Sequence, residues 1–163
     1  MTTNRYLITG GTGFIGSALV RRLVQNGHKV RVLDNNSRGS IGRLADIASD
    51  VEFIDADIRD AATVNKATQG IDSMVHLAYV NGTEFFYNKP ELVLDIAIRG
   101  MLNVIDACRA QGVRDMVLAS SSEAYQTPPV IPTPEEVPLV VPDIMNPRYS
   151  YGGGKLACEL MAV

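Results

Sequence analysis

The stretch YSYGGGK, residues 149 to 155, sets a tyrosine and a lysine four positions apart. In a helix, Tyr151 and Lys155 would lie on one face, a single turn from each other. A phenol beside an ammonium can act as a base, because the positive charge favours the deprotonated oxygen. The three intervening glycines work against a helix, costing about 2.5 to 3 kcal/mol relative to alanines. The stretch therefore reads either as a flexible turn or as a helix whose glycines admit a close neighbour. Tyr-x-x-x-Lys by itself is a short motif that chance supplies readily, so its weight depends on what surrounds it.

A second group of residues supplies that context. In LITGGTGFIGSALV, residues 7 to 20, an apolar run leads into glycines and then into an amphipathic stretch. Gly11, Gly13 and Gly16 have the spacing G-x-G-x-x-G, and Gly10, Gly13 and Gly16 also fit G-x-x-G-x-x-G. Glycines so placed allow a tight turn, a close backbone approach to pyrophosphate and close packing of helix on strand, with the phosphates at the helix N-terminus. Asp34 ends the next apolar run at the offset of a ribose-binding carboxylate, which separates this pattern from a merely tight turn. The stretch is read as a dinucleotide-binding loop. Asp34 would accept hydrogen bonds from both ribose hydroxyls and repel a 2′-phosphate, which favours NAD over NADP. Arg38 is the residue that could accommodate that phosphate instead.

These residues need a scaffold that brings them together. Short apolar runs at Tyr6 to Thr9, Lys29 to Asp34, Val51 to Asp55, Ser73 to Leu77 and Asp115 to Ser120 alternate with stretches of helical period. That alternation predicts an α/β fold, a doubly wound parallel sheet of about five strands with helices on both faces. A helix from Phe14 to about Asn26 would set Ile15, Leu19 and Leu23 on one face, with Gly27 as its stop. A longer helix would run from Pro90 to about Ala110, with Gly112 just beyond. Seven of the eight prolines fall between Pro128 and Pro147, so that segment is extended or turn-like. It is read as an active-site loop rather than an interdomain linker, because residues suspected of chemistry lie on both sides of it.

Bulk properties narrow the function classes. The 163 residues suit one domain with its own core. With 46% hydrophobic and 20% charged residues the chain reads as soluble and globular rather than disordered. A net charge of -3 without a basic patch argues against nucleic acid or an anionic membrane as partner. The N-terminus has no apolar signal core and no run approaches the length of a bilayer span, so a cytoplasmic location is expected. Cys108 and Cys158 are isolated, which favours reduced structural thiols, and with only His28 and His76 available no metal-ligand cluster is expected.

In order and spacing, six motifs resemble the cofactor half of an extended short-chain dehydrogenase/reductase of the NAD-dependent nucleotide-sugar epimerase/dehydratase group. They are TGGTGFIG (9 to 16), DNNSRG (34 to 39), DADIRD (55 to 60), HLAYV (76 to 80), SSSEAYQ (120 to 126) and YGGGK (151 to 155). The resemblance covers the whole chain and implies a Rossmann-type NAD-binding domain over residues 1–163. It implies NAD contacts from Gly10, Gly13, Phe14, Ile15 and Gly16 in the loop, and from Asp34, Asn35 and Ser37 after the second strand. Further implied contacts are Asp57 and Ile58 at the adenine, then Leu77, Ala78 and Tyr79 after the fourth strand, then Tyr151 and Lys155. By itself Asp57 would read as a helix cap. The implied catalytic set is Ser121, Tyr151 and Lys155, with Ser121 hydrogen-bonding the sugar hydroxyl that is oxidised. Apart from the resemblance, Ser120, Ser121 and Ser122 form a serine run of the kind turns carry. Ser121, Ser122, Glu123 and Tyr151 are the implied substrate contacts, and a close approach to cofactor and sheet is the role expected of the glycines at 152 to 154.

Dehydratases of this group generally carry Asp-Glu where the chain has Ser122 and Glu123, so the resemblance implies an epimerase. Its substrate would be a nucleotide-diphosphate sugar, oxidised transiently at C4 by hydride transfer to NAD and reduced again on the other face. The alternatives are a dehydratase, an NADPH-dependent reductase for which Arg38 is the hint, and a module that binds NAD without catalysis. An intact Ser, Tyr and Lys set argues against the last. Two positions depart from the pattern: Ala97 stands where many members have asparagine, and Tyr79 replaces the second small residue of HLAA. Tyr79, Asn81 and Thr83 are then candidates for shaping the sugar site. Members continue into a further strand and a substrate domain, so this chain is expected to be a C-terminally truncated portion lacking that domain. The resemblance also implies a homodimer, paired through the helix near 90 to 110 and the helix starting near Tyr149.

Overall fold

A computed structural model describes residues 3–163, so the first two residues of the expected 1–163 domain lie outside the described residues. Five parallel strands, β1 (Arg5–Thr9), β2 (Lys29–Asp34), β3 (Val51–Asp55), β4 (Ser73–His76) and β5 (Asp115–Leu118), form one sheet in the order β3-β2-β1-β4-β5. The chain steps outward from β1 to β3, then crosses back to β4 on the other side of β1. The winding therefore reverses between β1 and β4, and a crevice opens there at the carboxyl ends of the strands. β4 and β5 leave the ladder one and two residues before their apolar runs end, although the Leu77 and Ala119 N–H groups still donate to Thr9 and His76.

The helices are α1 (Phe14–Gln25), α2 (Ala61–Thr68), α3 (Thr83–Asn88), α4 (Pro90–Gln111) and α5 (Ser150–Ala162), with short 3-10 segments at Ile41–Asp50, Ser122–Ala124 and Pro147–Tyr149. Successive strand residues point to opposite faces, and both faces are covered. Leu7, Leu33 and Met74 pack with Val64 of α2 and Val104 of α4 on one side. Ile8, Val32 and Val75 pack with Val20 of α1 and Leu44 on the other. Each such side chain contributes about 1.5–3 kcal/mol on burial. α4 ends where Gly112 takes φ 71° and the Val113 N–H closes on the Cys108 carbonyl at 2.9 Å. Against α4 lies α5, with Ala97, Met101 and Cys158 between them.

One expected face is rotated. Ile15 is 70% exposed, and Gly16, Ser17 and Val20 are the buried positions of α1, with Leu19, Leu23 and Val24 partly buried beside them. A Cβ at position 16 would collide with the Gly10 carbonyl oxygen and lie 2.7 Å from the Gly11 Cα, so the helix approaches its strand only with this glycine facing in. That contact turns Ile15 outward. The proline-rich stretch has neither helix nor strand from Tyr125 to Asn146. Its ends are tied by an ion pair between Arg148 Nη2 and Glu123 Oε1 at 2.8 Å, so it is a closed loop on one domain rather than a linker. Among the described residues no helix is long and apolar enough to cross a membrane.

Candidate functional site

The crevice at the strand ends is an open groove with about 120 Å³ of accessible space. Ten of the expected cofactor residues line it: Gly10, Gly13, Asp34, Asn35, Ser37, Asp57, Ile58, Leu77, Ala78 and Tyr79. Gly10 has φ 75°, and a Cβ there would come within 2.7 Å of the Ala78 nitrogen, so only glycine lets the loop pass over the end of β4. Gly13 is the N-cap of α1 and offers no side-chain acceptor, which leaves the first-turn amides free for an anion. Phe14 and Ile15, 86% and 70% exposed, are not among the residues that line the groove. Gly16 lies behind the loop as the packing contact described above. Leu33, Arg38, Gly39, Ala56, Val80 and Ile96 complete the lining. Ile96 belongs to α4, and no local motif marks it.

Asp34 Oδ2 accepts the Thr12 N–H at 2.9 Å and Oδ1 accepts the Asn36 N–H at 2.9 Å. The carboxylate thus ties the glycine loop to the turn after β2, and each oxygen retains lone-pair capacity toward the groove. Asp57 accepts from Arg59 at 2.7 Å and from Asn35 at 3.2 Å, and the Arg59 guanidinium holds its carboxyl below the usual carboxylate range. Asp57 does not cap a helix: the N-cap of α2 is Asp60, which accepts the Ala62 and Thr63 amides. Arg38 lies at the groove edge with its guanidinium 5.2 Å from the Phe85 ring centroid.

Tyr151 and Lys155 do share a helix, α5, and both are buried. Tyr151 packs on Phe86 at 4.9 Å and on Tyr79 at 5.1 Å between ring centroids. Lys155 Nζ donates to the Ala119 carbonyl at 2.6 Å, clipping α5 to the end of β5, and lies 5.9 Å from the Tyr151 ring centroid. Ser121 Oγ accepts the Glu123 N–H at 3.2 Å, and its turn rests on the start of α5. That contact gives the glycine run a different neighbour from the expected cofactor and sheet. A Cβ at Gly152 would strike the Gln126 side chain and lie 2.6 Å from the Glu123 carbonyl oxygen, and one at Gly154 would strike Tyr79. Gly153 would meet only a Val141 methyl, at 3.3 Å. Ser122 is exposed, Glu123 is held by Arg148, and Arg148 in turn lies over Phe86 at 5.2 Å. Ser120 hydrogen-bonds Glu159. His76, inside the HLAYV motif, bonds Thr9 Oγ1 at 2.7 Å, and burial holds it down to about 4, so it is neutral at pH 7.

Burial also lowers Lys155, to about 8 from its ordinary 10.5, against smaller opposing effects of Cys158 and Glu159. Between about pH 8 and 10.5 the unfolded chain binds a proton that the folded chain does not, so stability rises with pH across that window. Below it, the buried ammonium is a standing cost. Lys155→Met should therefore exceed the native chain in stability at pH 7 by up to about 3 kcal/mol, with the gap closing near pH 10.5. Urea midpoints measured at pH 7, 9 and 10.5 check this.

The NAD dependent epimerase/dehydratase family matches residues 6–163. The chain is 36% identical over 160 residues to UDP-glucose 4-epimerase of Mycolicibacterium smegmatis, covering 96% of this chain and 49% of that one. Among solved structures, a UDP-N-acetylglucosamine 4-epimerase from Methanobrevibacter ruminantium in complex with UDP-N-acetylmuramic acid has a TM-score of 0.88 at 27% identity, over 99% of this chain and 50% of that one. UDP-glucose-4-epimerase from Stenotrophomonas maltophila, with bound NAD and formylated UDP-arabinopyranose, gives 0.87 at 28%, over 98% and 47%. The chain spans about half the length of the relatives it matches.

Proposed function

The chain belongs to the NAD dependent epimerase/dehydratase family, and we propose that residues 1–163 are the NAD-binding domain of a nucleotide-sugar 4-epimerase. The observation that carries this reading is the pairing of Tyr151 and Lys155 on one helix with a groove whose glycine loop, uncapped helix and Asp34 suit a dinucleotide. Gly10, Gly13 and the α1 amides would hold the pyrophosphate, Asp34 a ribose, and Asp57 and Ile58 the adenine. NAD held there would supply the hydride chemistry.

The chain's own residues manage the proton. Tyr151 takes it from the C4 hydroxyl of a UDP-sugar and gives it back after the ketone has turned, with Lys155 one helical turn away. Ser121 accepts the Glu123 amide and keeps its own O–H to donate to the sugar oxygen. Ser122 and Glu123 lie on the same turn and bind the sugar from that side, with Arg148 fixing the orientation of Glu123. A homodimer through α4 and α5 follows the same reading, and the buried free thiols Cys108 and Cys158 suit a reducing cytoplasm.

The test is to denature the purified chain and identify released small molecules by mass spectrometry, then to titrate it with NAD and NADP. Retained or tightly titrating NAD supports the reading, and a preference for NADP overturns it in favour of a reductase. Asp34→Asn removes the charge while keeping an acceptor for one loop amide. Its preference for NAD over NADP should fall by about tenfold, read as the ratio of the two Kd values.

A further inference from the structure

Three small or unexpected residues meet at one point in the fold. Tyr79 stands after β4, Ala97 lies in α4, and Gly154 is the last glycine of the run in α5. A Cβ added at Gly154 would collide with the Tyr79 hydroxyl and lie 3.1 Å from the Ala97 Cβ. The phenol of Tyr79 therefore occupies space that a larger residue at 97 or 154 would fill. It is held there on several sides. Its Oη donates to the Tyr151 carbonyl at 3.4 Å, its ring meets Tyr151 edge-on at 5.1 Å, and Lys155 Nζ lies 4.0 Å from its ring centroid. Burial pushes the Tyr79 phenol well above its ordinary range, so it is a neutral donor rather than a second base.

The same side chain faces the groove. Tyr79 lines it together with Ala78, Val80 and Ile96, whereas Tyr151 and Lys155 do not line it. An ammonium buried to 4% exposure with one carbonyl partner is costly, and a further group can offset part of that cost by stabilising its charge. The face of an aromatic ring at this distance does so.

We propose that Tyr79 is a positioning residue for Lys155: its ring holds the ammonium against the Ala119 carbonyl and closes the inner end of the groove, seated in the space left by Ala97 and Gly154. The proposal rests on the reading above only for what the lysine serves. The glycine run then has a specific reason at its last position, which is to admit the Tyr79 hydroxyl.

Trace acetylation of the full chain with acetic anhydride, mapped by peptide mass spectrometry, tests this. The other three lysines, Lys29, Lys66 and Lys89, are exposed and serve as internal references. Lys155 should react slowly in the native chain and in Tyr79→Phe, which keeps the ring. In Tyr79→Ala and in Gly154→Ala, which expels the hydroxyl, it should react about tenfold faster relative to the references. The double variant Gly154→Ala/Tyr79→Phe should be slow again, because the ring carbon Cζ stands 3.6 Å from the added Cβ once the oxygen is gone. Equal Lys155 reactivity in the native chain and Tyr79→Ala overturns the proposal, as does a double variant that behaves like Gly154→Ala. A parallel NAD titration separates the two readings: absent NAD binding with this order of reactivity intact sinks the cofactor reading alone, and NAD binding with the order lost sinks the role of Tyr79 alone.

Discussion

On the proposed function, Tyr151→Phe is expected to lower the interconversion of a UDP-sugar and its C4 epimer by about 10²–10⁴-fold, the range for losing a general acid–base group, while NAD still binds. The substitution is mild for the fold. Tyr151 is 7% exposed and packs through its ring on Phe86 and Tyr79, contacts that phenylalanine retains. What it loses is the oxygen that would take the sugar proton, with Lys155 one helical turn away. The rate is read by separating the two sugars after a timed incubation, and NAD affinity by titration. A variant that keeps more than about a tenth of the native rate would remove Tyr151 from the role of base. Loss of NAD binding in parallel would instead mark it as structural.

Gly16→Val should cost the chain its cofactor, with NAD affinity down about hundredfold or more and a lowered melting temperature. The obstacle is backbone on every side. The first carbon of the new side chain would meet the Gly10 carbonyl oxygen, the Gly11 Cα at 2.7 Å and the Gly10 carbonyl carbon at 3.0 Å, none of which can turn aside. α1 must then back away from β1, and the amides at its N-terminus leave the position from which they would meet a phosphate. Overpacking of this kind costs about 1–3 kcal/mol and sometimes more. Calorimetric titration with NAD and a thermal melt of the same sample read both effects, and native affinity in the variant would show that the loop does not hold the phosphates.

The two substitutions probe features that differ in how far apart their parts lie in the chain. Gly10, Gly13 and Gly16 act within seven residues, and Tyr151 and Lys155 within five. Each such pattern specifies a local backbone shape that any fold must respect. The strands were legible for a similar reason: each is a short cluster of apolar residues, broken only by Arg31 in β2 and Glu52 in β3, between stretches of helical period. Their residue ranges in the structure depart from the reading by no more than two residues at any end. The Ile41–Asp50 segment, α2 and α3 were not read at all. Each is short, at six to ten residues.

Local spacing determined the elements, the glycine loop, the carboxylate at the end of β2 and the common helix of Tyr151 and Lys155. Tertiary structure decided which partners those residues meet. The outward turn of Ile15 follows from a collision that position 16 must avoid, and the binding of Glu123 to Arg148 from a loop that closes across 25 residues. The meeting of Tyr79 with Gly154 joins β4 to α5 across 75 positions, and no periodicity spans that distance. Spacing along a chain encodes the direction a side chain leaves its own helix or strand. What it meets there depends on the order of strands in the sheet and on how closely the helices can approach, and those are set by every contact at once.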